Sequence, residues 1–209
     1  MVVASNHQDP LADRRSPEMP PNIRLARPAD AAACLEIYRP LVASTAISFE
    51  AEPPDETAFA ARVSRTLESL PWLVCESQRG VVAGYAHASP HRAREAYRWS
   101  AEVSVYVRGS HRRRGVARSL YRNLFRCLRH QGYVNAYGGI ALPNDPSVAF
   151  HEAMGFESVG VYRRVGFKLG RWHDVGWWAL RLAETDAPTA PRGLRDCREE
   201  VVALLEAGL

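Results

Sequence analysis

Alternation and periodicity divide the chain into elements before any motif is considered. Ile23, Leu25 and Arg27 alternate with their neighbours in NIRLAR, as the residues of a strand do. A helix is expected from about Ala29 to Arg39, with Asp30 favourable in its first turn and Pro40 ending or bending it. STAISFEAEPP reads as a loop. Phe59, Val63 and Leu67 then recur at i, i+4 and i+8, the stripe of a helix from about Asp55 to Ser69. WLVCES and VVAGYAHAS, parted by the polar Gln78-Arg79-Gly80, form a hairpin pattern. HRAREAYRW is a polar loop. In SAEVSVYV, Val103, Val105 and Val107 alternate against Glu102, Ser104 and Tyr106, a strong strand pattern. Leu120, Leu124 and Leu128 stripe a helix from about Gly115 to Gln131, and Gly132 suits its stop. YVNAYGGIA is a strand, LPNDPS a turn, and Pro146 opens a short helix that runs to Met154 and ends at Gly155. FESVGVYRRVGF and HDVGWWALRL pair around Gly170.

The order β-α-α-β-β-β-α-β-α-β-β predicts an α/β (α+β) fold. Helices separate some strands and hairpins join others, so the seven strands form a mixed, mostly antiparallel sheet flanked by about four helices. One domain is expected over residues 22–182. Residues 1–21 are polar and proline-rich and are expected to be a flexible extension. Residues 183–209 form a tail that turns polar around Pro188 and Pro191, and RDCREEVVALLEAGL suits a small amphipathic helix there. No internal repeat is evident.

Charge narrows the partners. The formal net charge of +4 is too small to indicate a nucleic-acid partner by itself. Of the 27 basic residues only Lys168 is lysine, so the charge is carried by arginines, which fork onto phosphate or carboxylate. Cys34, Cys75, Cys127 and Cys197 are scattered with no C-x-x-C pair, which fits reduced thiols rather than a zinc site or disulfide framework. The N-terminal segment has no apolar signal-peptide core, and no apolar run approaches ~18 residues. The expected compartment is the cytoplasm, with no membrane partner and no metal.

HRRRGVA, after a strand and at the start of a helix, is the informative motif. A helix N-terminus carries unpaired N–H groups and partial positive charge, a seat for phosphate. The run lacks G-x-x-x-x-G-K-[ST] and G-x-G-x-x-G, so it is neither a P-loop nor a dinucleotide fingerprint. It meets [RQ]-x-x-G-x-[GA] with Arg112, Gly115 and Ala117. That pattern resembles the pyrophosphate seat of the GCN5-related N-acetyltransferases. SAEVSVYV, LPNDPSVAFHEAMGF, GFKLGRWHDVGWW, SPHRAREAYRW and STAISFEAEP extend the resemblance to the phosphinothricin and methionine sulfoximine acetyltransferase subfamily, over residues 22 to about 182.

The resemblance implies an acetyl-CoA-dependent enzyme, a homodimer, that acetylates the amino group of a small amino-acid-like acid by direct attack. It assigns Val105, Tyr106, Val107, Arg112, Arg113, Arg114, Gly115, Val116, Ala117, Arg118 and Asn144 to the acetyl-CoA site. It assigns Phe49, Arg92, Arg94 and Tyr97 to the acceptor, with Arg92 standing where the subfamily has lysine. Glu102 and His151 are the candidate proton-transfer groups, undivided between base and acid. His151 occupies the register where the wider superfamily carries tyrosine. A peptide N-terminus, a polyamine or an aminoglycoside is the alternative acceptor, although the arginines of HRAREAYR disfavour a cation. A non-catalytic acyl-CoA module and a nucleic-acid-binding module are the remaining alternatives.

Overall fold

The structure, a computed structural model, describes residues 22–77 and 80–208. The extension expected over residues 1–21, and Gln78 and Arg79 of the expected hairpin turn, lie outside them. The strands are β1 (Asn22–Leu25), β2 (Trp72–Glu76), β3 (Val82–Pro90), β4 (Ser100–Val107), β5 (Asn135–Leu142), β6 (Glu157–Lys168) and β7 (Arg171–Arg181). They make one seven-stranded sheet in the order β1-β2-β3-β4-β5-β7-β6. Only β4 and β5 run parallel; every other neighbouring pair is antiparallel. The expected mixed sheet is therefore the observed one.

The helices among the described residues are α1 (Ala31–Ser44), α2 (Glu56–Ser69), α3 (Val116–Gln131), α4 (Asp145–Ala153) and α5 (Arg198–Glu206). Alternation along β3 separates the faces. Tyr85 meets Phe59 of α2 on one face, while Gly84 leaves room for Val116 of α3 on the other. We call the α1/α2 side the front and the α3/α4 side the back. Phe59, Val63 and Leu67 are buried as their spacing requires, and Asp55 caps α2 by accepting from the Ala58 N–H at 2.7 Å.

Two expectations are corrected. Pro40 does not end α1, which runs on to Ser44. Proline removes one N–H, but Val42 is fully buried and its carbonyl is met by the Lys168 ammonium at 2.6 Å. The tertiary contacts outweigh the local penalty. The tail carries the small helix expected of it, α5, and beyond that expectation it joins the core. Leu194, Cys197, Val201 and Leu205 are buried in the main core, and α5 packs on α3 and β1. The Arg192 N–H bonds the Gln131 carbonyl at 2.8 Å, and the Gln131 amide returns a bond to the Arg192 carbonyl at 2.9 Å. These two bonds fasten the tail to the C-terminal end of α3.

Candidate functional site

The opening in the sheet follows from its one parallel pair. β4 and β5 are in register only from Ser100–Asn135 to Glu102–Tyr137. Beyond that point β4 stays with β3 to Val107 and β5 stays with β7 to Leu142, so the two strands part. The Arg108 N–H bonds the Ala83 carbonyl of β3 at 2.9 Å. By the two-residue alternation of a ladder, the backbone groups of Glu102, Ser104 and Tyr106 also turn to β3. Val103 still faces β5 in the paired segment, with its carbonyl 3.4 Å from the Tyr121 hydroxyl, so the backbone groups that turn towards the gap are those of Val105 and Val107. The side chain of Tyr106 lies elsewhere, packed on Tyr38 and Tyr85 with ring centroids 5.3 and 5.1 Å away.

At the far end of β4 the chain passes through a short 3₁₀ turn (Gly109–His111) into α3. Arg113 has φ 59° and Gly115 φ 79°, both in the left-handed region. Gly115 is the N-cap of α3 and supplies no side-chain bond to the first turn. Nothing lies within 4 Å of where its Cβ would be. The first turn of α3 thus has no side-chain cap and open space beside its N-cap, a combination that suits an anion. Arg112, Arg113, Arg114 and Arg118 are exposed around it, and Ala117 is half-buried. Val116 turns its side chain into the core, so only its backbone belongs to this seat. Asn144 stands across the gap as the N-cap of α4, accepting the Ser147 N–H at 3.3 Å.

Glu102, the last residue of the paired segment, projects to the front. Its Oε1 is 3.1 Å from His91 Nδ1 and accepts from the Arg92 guanidinium at 3.0 Å. Among the described residues its Oε2 has no partner. His91 stacks on Tyr137 at 4.3 Å with 14° between the rings, and Arg92 lies over Trp177 at 5.5 Å. Trp177 fits against β5 because Gly139 has no side chain; a Cβ there would stand 3.3 Å from the indole. Tyr97 meets His91 edge-on at 5.9 Å, while Arg94 is exposed at the start of a 3₁₀ turn (Glu95–Tyr97). His91, Tyr137 and Trp177 were not among the residues singled out from sequence. Only the adjacency of His91 to Arg92 signalled any of them.

Phe49 belongs to a second front-side group. Its ring occupies the space a Gly166 side chain would need, and it lies 6.2 Å from the His173 ring. His173 is buried and bonded at 3.0 Å to the Lys168 carbonyl, whereas Asp174 pairs with Arg163 at 2.8 Å. Adjacent strand residues thus go to different partners.

His151 is on the back and is buried, 6% exposed. Its Nδ1 is 2.8 Å from the Ser147 carbonyl, so Nδ1 carries the proton. The other nitrogen, Nε2, then accepts from the Tyr121 hydroxyl at 3.1 Å. Burial holds its pKa below the ordinary histidine value, opposed by the bond to Ser147. The ring lies against Gly138, where a Cβ would come within 2.9 Å. The structure does not bring His151 into the Glu102 group: one is enclosed behind the sheet, the other open in front of it.

All four cysteines are free and buried. Burial pushes the Cys34 and Cys127 thiols up to about 12 and Cys75 to about 11, far from a thiolate nucleophile at neutral pH. Among the described residues no cluster of histidine, cysteine and carboxylate groups is placed to hold a metal, and no helix is long and apolar enough to cross a membrane.

A parting parallel pair, with an uncapped helix start at one end of it, is the frame of an acyl-group transferase. The chain belongs to the GNAT acetyltransferases: the family described as "Acetyltransferase (GNAT) domain" matches residues 23–177. It is 40% identical over 181 residues to the phosphinothricin N-acetyltransferase of Streptomyces viridochromogenes, covering 86% of this chain and 97% of that one. It is 36% identical to the L-methionine sulfoximine/L-methionine sulfone acetyltransferase of Salmonella typhimurium, over 80% of this chain and 98% of that one. A phosphinothricin acetyltransferase from Sinorhizobium meliloti, solved in complex with acetyl-CoA, superposes with a TM-score of 0.78 at 34% identity, covering 82% of this chain and 94% of that one.

Proposed function

We propose that this protein transfers the acetyl group of acetyl-CoA to the α-amino group of a small amino-acid-like acid of the phosphinothricin or methionine sulfoximine type. The observation that carries the reading is Glu102 at the point where β4 and β5 part, with one carboxylate oxygen held by His91 and Arg92 and the other unspent. An acceptor ammonium must lose a proton before it attacks, and Oε2 of Glu102 is an acceptor for it, directly or through a water. Arg92, with Tyr97 and Arg94 near it on the same loop, supplies the positive charge that an acidic acceptor needs. Phe49 forms a wall of the acceptor site on the loop between α1 and α2.

The residues present fit acetyl-CoA. Open space over Gly115, the uncapped start of α3 and the surrounding arginines suit its pyrophosphate. The gap-facing backbone of Val105 and Val107 suits the pantetheine and, through its N–H groups, the developing charge on the carbonyl oxygen. When bound, the group supplies an activated acetyl thioester. Direct attack by the amine is favoured over an acyl-enzyme, because every cysteine is a buried, neutral thiol. His151, with both nitrogens engaged inside the protein, acts as a positioning residue that holds Gly138 of β5 beside the gap.

The assembly we propose is a homodimer in the cytoplasm. β6 is an edge strand whose Val159, Val161, Val165 and Phe167 are exposed, and a long apolar edge is a surface that proteins normally cover. Sedimentation at micromolar concentration should give twice the 23.3 kDa chain mass; a monomer would remove this assignment.

A CoA-release assay over a panel containing L-phosphinothricin, methionine sulfoximine, a polyamine and an aminoglycoside tests the reaction. Turnover should be confined to the acidic amines, and Glu102→Gln should reduce kcat/KM by about 10²–10⁴-fold, the range of a lost general base. Turnover of the polyamine alone would overturn the acceptor class, and unchanged turnover in the variant would remove Glu102 from the reaction.

A further inference from the structure

Lys168 is the chain's only lysine, and it is buried. It closes β6, one residue before the tight Leu169-Gly170 turn into β7, where φ is 51° and 74°. Its ammonium reaches across to the front and donates to two carbonyls, Val42 at 2.6 Å and Ser48 at 2.7 Å. Val42 is in the last turn of α1, so one bond satisfies a carbonyl at a helix end. The second holds the peptide that joins Ser48 to Phe49. Ser48 is fixed from its other side, its hydroxyl 2.6 Å from the Tyr38 hydroxyl.

This arrangement explains why the position is lysine in a chain that otherwise uses arginine. Two carbonyls converging on one point suit a compact ammonium with rotatable donors, not a planar fork. The ammonium rivets the loop after α1 to the β6–β7 turn. These two segments are also facing walls of a cavity of about 360 Å³, with Thr45 and Ile47 on one side and Leu169 and His173 on the other. Phe49, 42% exposed, is held above Gly166 by the same fastening.

We propose that Lys168 is a specificity-determining positioning residue: it fixes the loop that carries Phe49 at the spacing the acceptor requires. It touches neither the reacting amine nor acetyl-CoA. The proposal rests on the reading of Phe49 as a wall of the acceptor site.

Lys168→Met keeps the length of the side chain and removes its donors. Steady-state kinetics with L-phosphinothricin and acetyl-CoA varied separately, on Lys168→Met, Phe49→Ala and the double variant, give the test. Lys168→Met should raise the KM for L-phosphinothricin about tenfold and change the KM for acetyl-CoA less than about twofold. In the Phe49→Ala background the same change should add less than about twofold, because the two residues act through one contact. Effects that multiply independently, or equal rises in both KM values, would overturn the proposal. A normal acceptor KM in Phe49→Ala would instead overturn the reading of Phe49. Amide exchange supplies a readout independent of any acceptor: residues 44–50 should exchange about tenfold faster in Lys168→Met. Unchanged exchange there would overturn the rivet itself. If Lys168→Met does not fold, Lys168→Gln, which keeps a shorter donor, should show the same shifts at smaller size, and its wild-type behaviour would refute the role.

Discussion

The front face should make this fold sensitive to mild acid through one histidine. His87 lies in β3 between aromatic neighbours, stacked on Trp72 at 4.3 Å and 17° and facing Tyr106 at 6.5 Å. Desolvation among these rings pushes the pKa of the half-buried imidazole down from 6.5 to about 4, opposed by a bond to the Ala88 backbone. Between those two values the unfolded chain binds a proton at His87 and the folded chain does not. Its contribution to stability is therefore intact above pH 6.5 and is lost as the pH falls towards 4. A displacement of that size corresponds to ~3 kcal/mol in full, of which ~2–3 kcal/mol is gone by pH 4.5. His151, also held below the ordinary value by burial, adds in the same direction. The carboxylates act lower. Glu76 is held down by its hydrogen bonds from Arg24; Asp30, which burial pushes up, is brought below its ordinary value by Arg24 and the Arg27 N–H. Their stabilisation is present above the ordinary carboxylate range and fades below about pH 4.5. Urea unfolding followed by tryptophan fluorescence at pH 7.5, 5.5 and 4.5 measures the sum. The His87→Phe variant retains an aromatic ring without the titration, so the loss between pH 7.5 and 4.5 should shrink by ~2 kcal/mol whatever the variant's absolute stability. Parallel pH dependence in the two proteins would refute the assignment.

Two further outcomes follow from single contacts. Tyr121→Phe leaves the buried Nε2 of His151 without its donor and should cost about 1–3 kcal/mol by urea unfolding, with kcat falling more than either KM changes because Gly138 is released beside the gap. Leu194→Ala, beyond the end of the family match at residue 177, should cost about 2–5 kcal/mol, since Leu194 is fully buried; a cost near zero would show that the tail is not part of the core.

The elements of this fold were legible where one local signal dominated. The valine alternation of β4, the leucine stripe of α3 and the glycine at each end of α3 fall where the pattern placed them, because φ of 79° and 98° at Gly115 and Gly132 admits few other residues. Signals failed where a distant contact decided. Pro40 looked like a stop because the Lys168 ammonium that meets Val42 is 126 residues away in sequence. The small helix of the tail was legible, but its docking was not, because its buried residues are few and widely set among charges and their burial depends on α3 and β1. The site divided in the same way. Glu102 and HRRRGVA were legible as candidates because each lies in a local pattern. The neighbours of Glu102 come from three other strands or their loops, and only the pairing of Glu102 with Tyr137 and of Gly139 with Trp177 brings them together. His151 was found by register, but its enclosure was not, because Tyr121 lies 30 residues earlier on another helix.

In the proposed reaction, the register of β4 lets one strand serve two sides. Along a strand, side chains alternate between front and back, and backbone groups alternate between the two neighbouring strands. Both alternations have a period of two. In β4 they are phased so that Glu102 sends its side chain to the front and its backbone to β3, while Val105 sends its side chain to the back, against the core, and its backbone to the gap. The proposed proton acceptor and the gap-facing amides thus arise from one strand with no loop between them. A slip of one residue against β3 would turn Glu102 back against α3 and bring Val103 to the front, losing both proposed roles together. That slip is opposed by the burial of Ala101 and Val103 on the back and by the stacked rings of Tyr85, Tyr106 and His87 on the front. The hydrophobic packing on the two faces therefore sets the position of the chemistry, and the aromatic column that makes the protein acid-sensitive through His87 is the same packing that keeps Glu102 in phase.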